Sequence, residues 1–115
     1  MTTILALVPD LMFATRIEDA AKHLGYRVES LNAGDDTDAI LARASPALVI
    51  VALDTADWER VVASAKRAGA RVLAFGSHKN VEVMQAAKRA GCDEVVARSR
   101  MASELPNLLN KYAGK

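Results

Sequence analysis

The chain has 115 residues, 51% of them apolar and 25% charged, with a net charge of +1. That length suits one domain with its own core, here expected to span 1–115. The near-neutral charge gives no field that would draw nucleic acid or an acidic membrane, and aromatic side chains at 4% are too few for a base-stacking surface.

The elements follow in chain order. TILALV, 3–8, reads as a first strand. A helix is expected within 11–24, with Ile17, Ala20, Ala21 and Leu24 recurring on one face. A second strand near 26–31 alternates, Val28 standing between Arg27 and Glu29, and so belongs at a sheet edge. NAGDDTD, rich in turn and capping residues, introduces a short second helix over about 37–44, closed by Pro46. ALVIVAL, 47–53, is a continuously apolar third strand. A third helix over 56–68 turns Trp58, Val61, Val62 and Ala65 inward; Asp54, Thr55 or Asp57 can cap it. A fourth strand at 71–75 leads to a fourth helix over 80–90, capped by Asn80, with Val83, Met84 and Ala87 inward. The fifth strand is 93–97, and a fifth helix runs to about 112. Pro106 interrupts that helix: either it starts near Ser103, which places the proline in its first turn, or it kinks. The first reading is preferred.

Three helix ends are alike: AKHLG at 21–25, AKRAG at 65–69 and AKRAG at 87–91. Basic residues suit the negative end of the helix dipole, and the glycine accepts a left-handed C′ conformation. Each is followed by a β-rich run. Strands therefore begin every 20 to 24 residues, the spacing of parallel strands joined by helical crossovers. The expected architecture is α/β: a three-layer sandwich whose five-stranded parallel sheet carries helices on both faces.

In such sheets ligands bind beyond the carboxyl ends of the strands. That edge carries Pro9 and Asp10, then Asp54 and Thr55, then Gly76, Ser77, His78, Lys79 and Asn80, and finally Arg98, Ser99 and Arg100. No glycine-rich dinucleotide fingerprint or phosphate loop occurs there. Cys92 precedes the fifth strand, on the wrong edge for a phosphocysteine-type site, and is read as a small core residue. A single cysteine forms no internal disulfide, and no metal-ligand cluster is present. His23, near the end of the first helix, is read as a solvated cation. Asp54, Ser77 and His78 hold the residue types of a nucleophile, base and orienter, but adjacent Ser and His seldom aim at one another, and no oxyanion loop accompanies them. No catalytic residue, metal or cofactor is assigned. MTTILALVPD has no basic leader and too short an apolar run for a signal or a span; the expected location is cytoplasmic.

The whole pattern from Ile4 to about Tyr112, with GYRV after the first helix, SPALVIV for the third strand and RAGCDEVVARS for the fifth, resembles the receiver domain of bacterial response regulators, the CheY-like, flavodoxin-like fold. The resemblance implies strand order 2-1-3-4-5. It also implies where functional residues would fall, and they depart from the family's pattern. The metal-binding acid pair falls on Val8 and Pro9, with Asp10 one place late. The phosphoacceptor falls on Ala52, with Asp54 two residues later. The switch hydroxyl falls on Gly76, beside Ser77, and the lysine ending the fifth strand falls on Arg98, followed by Ser99 where the family has proline. Magnesium needs oxygen ligands that Val8 and Pro9 lack, and alanine accepts no phosphoryl group. The expectation is a stand-alone pseudo-receiver that signals by phosphorylation-independent protein binding. The face of helix 4, strand 5 and helix 5, carrying Lys88, Arg89, Arg98, Arg100 and Lys111, is the implied partner surface, and a homodimer through it is also expected. The alternative is a domain binding a small polar or anionic ligand at the carboxyl edge through Asp10, Asp54, Ser77, His78 and Arg98.

Overall fold

The structure, a computed structural model, describes residues 1–114. Its order is β1 (Thr3–Leu7), α1 (Leu11–His23), β2 (Arg27–Ser30), α2 (Thr37–Ala44), β3 (Leu48–Ala52), α3 (Trp58–Arg67), β4 (Arg71–Gly76), α4 (Val81–Arg89), β5 (Glu94–Ala97), α5 (Arg98–Ser103) and α6 (Leu105–Ala113). The strands form one parallel sheet in the order β2-β1-β3-β4-β5. β3 is central and buried along its whole length, as its unbroken apolar run requires. β2 is the exposed edge its alternation announced.

The sheet divides two apolar layers. Ile4, Ala6, Ile50, Ala52, Leu73 and Phe75 face α1, α5 and α6, where they meet Phe13, Ile17, Met101 and Leu109. Leu5, Leu7, Val49, Val51, Val72 and Ala74 face α2, α3 and α4 and meet Leu41, Trp58, Val61, Val62 and Ala87. Alternation along each strand thus feeds both layers. Gly25, Gly69 and Gly91, which end the three similar helices, have φ of 83°, 79° and 98°. That is the left-handed stop the repeated motif calls for.

The C-terminal helix departs from expectation. α5 starts directly after β5 at Arg98, so Arg98, Ser99 and Arg100 are helical rather than loop residues. The chain then breaks at Glu104, and α6 begins at Leu105 with Pro106 in its first turn, where a missing N–H costs nothing. The proline fixes where α6 starts; the segment before it is an additional short helix. Met101 is the apolar residue that binds α5 to the sheet, fully buried among Phe75, Val96 and Leu109.

A second difference lies after β3. Asp57 occupies the capping position of α3 but makes no side-chain cap bond. Its carboxylate accepts instead from the Gly34 amide and from Arg60, each at 3.2 Å, tying the β2–α2 loop to α3. Asp54 does not cap the helix, and the Thr55 hydroxyl is buried without a hydrogen-bond partner among the described residues. Asp10, Asp36 and Asn80 do cap, accepting the amides expected at the starts of α1, α2 and α4.

Asp93 staples the opposite edge. Its carboxylate accepts from the Val72 amide at 2.7 Å and from Lys66 at 2.9 Å. Burial pushes its pKa up, but the bonds from Lys66 and Val72 overcome that and hold it below its ordinary value of 3.8. A depressed carboxylate stabilises the fold fully above its unfolded pKa, and that contribution disappears as pH falls through the folded value. Asp93→Asn should therefore lower Tm at neutral pH and flatten the loss of Tm below about pH 4. A thermal melt series from pH 7 to pH 2.5 measures both, and an unchanged acid limb would refute the assignment. The neighbouring Cys92 thiol is pushed up to about 11, by burial first and by Asp93 second, so it is a poor nucleophile at neutral pH.

Candidate functional site at the carboxyl edge

The carboxyl ends of β1, β4 and β5 meet around two phenylalanines. Phe13 lies in the first turn of α1 and Phe75 near the end of β4, and both are buried. Their rings stack with centroids 4.8 Å apart and planes 17° from parallel. The Arg98 guanidinium, at the start of α5, rests 4.7 Å from the Phe13 centroid and 5.8 Å from that of Phe75. It also donates to Asp10. Asp10 is doubly employed: one oxygen caps α1 by accepting from Met12 at 3.0 Å and Phe13 at 3.2 Å, and the other receives Arg98. The ion pair is half-exposed and screened by solvent, so its direct contribution is small. The ring beneath adds a cation–π attraction that fixes where the guanidinium lies.

Ala52 ends β3 directly opposite Phe75 in the sheet register. It is 2% exposed and belongs to the same apolar layer as Phe13, Phe75 and Val8. Ala52, where the resemblance would put an acceptor, thus presents a methyl group to a packed apolar layer. A Cβ on Gly76, where the resemblance would put the switch hydroxyl, would stand 3.3 Å from the Leu53 Cβ, so the Leu53 side chain takes the room a larger residue would need.

Asp10, Ser77, His78 and Arg98 line one cleft of about 610 Å³, together with Phe13 and Arg16. Asp54 is not among them. It is exposed in the turn after β3 and borders a separate small cleft of about 80 Å³ with Leu53, Gly76, Ser77 and Asn80. The Ser77 hydroxyl accepts from the Lys79 amide at 3.2 Å, as part of the turn into α4. Among the described residues no hydrogen bond joins Ser77, His78 and Asp54, and no three metal-ligating side chains gather. Phe13 and Arg16 escaped the sequence reading because they lie inside the helix pattern. A signal existed: the chain has only two phenylalanines, and both fall at this edge.

The face made by α4, β5 and α6 carries mixed charge rather than the basic cluster expected of it. Glu94 accepts from the Tyr112 hydroxyl, from Arg100 at 3.0 Å and, more distantly, from Lys111 at 3.6 Å. Arg100 also donates to Glu104 at 3.0 Å, across the break between α5 and α6. The Tyr112 bond, opposed by burial and helped by Lys111 and Arg100, holds the Glu94 carboxyl below the usual range. Arg98 leaves this group altogether for the carboxyl edge. Lys88 and Arg89, exposed in the last turn of α4, make no ion pair among the described residues.

No protein-family model matches the chain, and no curated protein matches it in sequence. Solved structures do match in fold. A response regulator from Chloroflexus aurantiacus superposes with a TM-score of 0.84 at 16% identity, over 99% of this chain and 98% of the other. The signal receiver domain of a response regulator from Bermanella marisrubri gives 0.81 at 21% identity, over 97% and 98%. HP1043, an orphan response regulator of H. pylori, gives 0.81 at 16%, over 97% and 96%. These likenesses establish the CheY-like receiver fold. No helix among the described residues is long and apolar enough to cross a membrane.

Proposed function

We propose that this receiver-fold domain is a response-regulator-like signalling module that acts by protein contact without being phosphorylated. The observation that carries the reading is the apolar packing at the acceptor position, where Ala52 shares a buried layer with the Phe13–Phe75 stack. Val8 and Pro9 at the end of β1 add no side-chain oxygen for a magnesium ion. Arg98, at the place of the family's lysine, is engaged with Asp10 and the Phe13 ring.

Contact is made by the face of α4, β5 and α6. Lys88 and Arg89 are its uncommitted charges, and they suit a protein partner with an acidic patch. Arg100 and Lys111 serve Glu94 and shape the face instead. No group in the domain is assigned a catalytic role.

Incubation with acetyl phosphate, or with beryllofluoride, in the presence of magnesium should leave the intact mass and the amide NMR spectrum unchanged. An 80-dalton adduct (roughly the mass of a phosphoryl group), or a set of shifts spreading from the β3 end, would overturn the reading. Charge reversal at Lys88 and Arg89 should weaken partner capture, whereas Asp54→Asn should not. Sedimentation of the purified domain separates a different partner from a second copy of the chain.

A further inference from the structure

The cleft between the start of α1 and α5 differs in kind from the contact face. It is lined by two guanidinium groups, those of Arg16 and Arg98, beside an apolar floor of Phe13 and Ala102 and the thioether of Met12. Arg16 lies 5.9 Å from the centroid of the same Phe13 ring that supports Arg98 at 4.7 Å. Arg98 gives one N–H group to Asp10; its others, and all those of Arg16, have no protein acceptor among the described residues. Only one carboxylate, Asp10, faces these cations in the cleft. At the rim, Met12 is 81% exposed, unusual exposure for a large apolar side chain. The volume of about 610 Å³ falls within the range of sites for small organic molecules.

We propose that this cleft binds a small organic anion, a carboxylate or phosphate attached to an apolar body. The anionic head is held by Arg16 and by the free N–H groups of Arg98, whose planar fork suits both headgroups. The Phe13 support keeps Arg98 in place before the ligand arrives, which lowers the ordering cost of binding. Met12 and Ala102 receive the apolar body, and the adaptable methionine closes over it. Ser77, His78 and Ser99 supply further polar contacts at the mouth. This goes beyond the contact reading and can fail without it, since Lys88 and Arg89 play no part here.

The test is an amide NMR titration with phenyl phosphate and, separately, benzoate. Inorganic phosphate serves as the control for charge alone and benzyl alcohol as the control for the ring alone. At least one of the two aromatic anions should shift Met12, Phe13, Ser99 and Ala102 saturably. Each control should bind at least about tenfold more weakly, and Arg98→Gln or Arg16→Gln should weaken binding by a similar factor. Arg16 is exposed, so its variant probes the site without disturbing the Phe13–Phe75 stack. Absence of saturable shifts with both aromatic anions at millimolar concentration would overturn the proposal. So would a response indifferent to Arg16→Gln, or inorganic phosphate binding as tightly as phenyl phosphate.

Discussion

Phe75→Ala is expected to destabilise the domain by about 3–5 kcal/mol, read as a shift of the urea midpoint at unchanged slope. Phe75 is 1% exposed at the end of β4. Its removal forfeits buried apolar area and leaves a void that neighbours on a rigid sheet fill only in part. It also strips the Phe13 ring of its stacking partner and Arg98 of its second aromatic contact. A double-mutant cycle with Phe13→Ala should return a coupling of about 1 kcal/mol, the usual size for a stacked pair. Phe75→Leu keeps most of the volume and should cost much less than the alanine. A loss below about 1 kcal/mol for Phe75→Ala would mean that the carboxyl edge is looser than the packing implies.

Ala52→Asp, which puts a carboxylate where the resemblance would place an acceptor, should cost a similar amount, about 3–5 kcal/mol, by a different route. The new carboxylate would lie in an apolar layer with Phe13, Phe75 and Val8. Burial raises the pKa of such a group above its unfolded value. The folded protein then holds the proton to higher pH than the unfolded chain does, so stability falls as pH rises through and beyond the unfolded value. Denaturation at pH 4 and at pH 7 should therefore show the variant closer to the parent at the lower pH, while the parent's own pH dependence is subtracted. A variant as stable as the parent at pH 7, and reactive with beryllofluoride in magnesium, would show that the edge still provides a polar pocket. The reading of an emptied phosphorylation site would then fall.

The two substitutions probe one physical arrangement from opposite sides. One removes the aromatic filling and the other adds the charge that the filling excludes. The guanidinium of Arg98 joins the two. One of its N–H groups is held by Asp10 and its flat surface by Phe13, so it needs no phosphoryl group to keep it in position.

The sequence by itself determined the parallel sheet and the helix stops, because these depend on local signals of fixed period, whereas the strand order followed only from the family resemblance. An unbroken apolar run such as LVIVA calls for cover on both faces, and the glycine after each basic helix end, Gly25, Gly69 and Gly91, takes the left-handed stop that its motif signals. It also shows that Val8, Pro9 and Ala52 carry no side-chain oxygen where the resemblance would place the family's donors. Tertiary structure alone decided that Asp10 and Arg98, 88 residues apart, form a pair over Phe13, and that Asp54 borders another cleft. It also decided that Glu94 pairs with Arg100 and Lys111, two of the cations assigned to a basic face. Helix-period patterning says which side of a helix is apolar, but not which side chains from separate elements converge. Partner choice among charged groups depends on distances of a few ångströms that only the closed sheet sets.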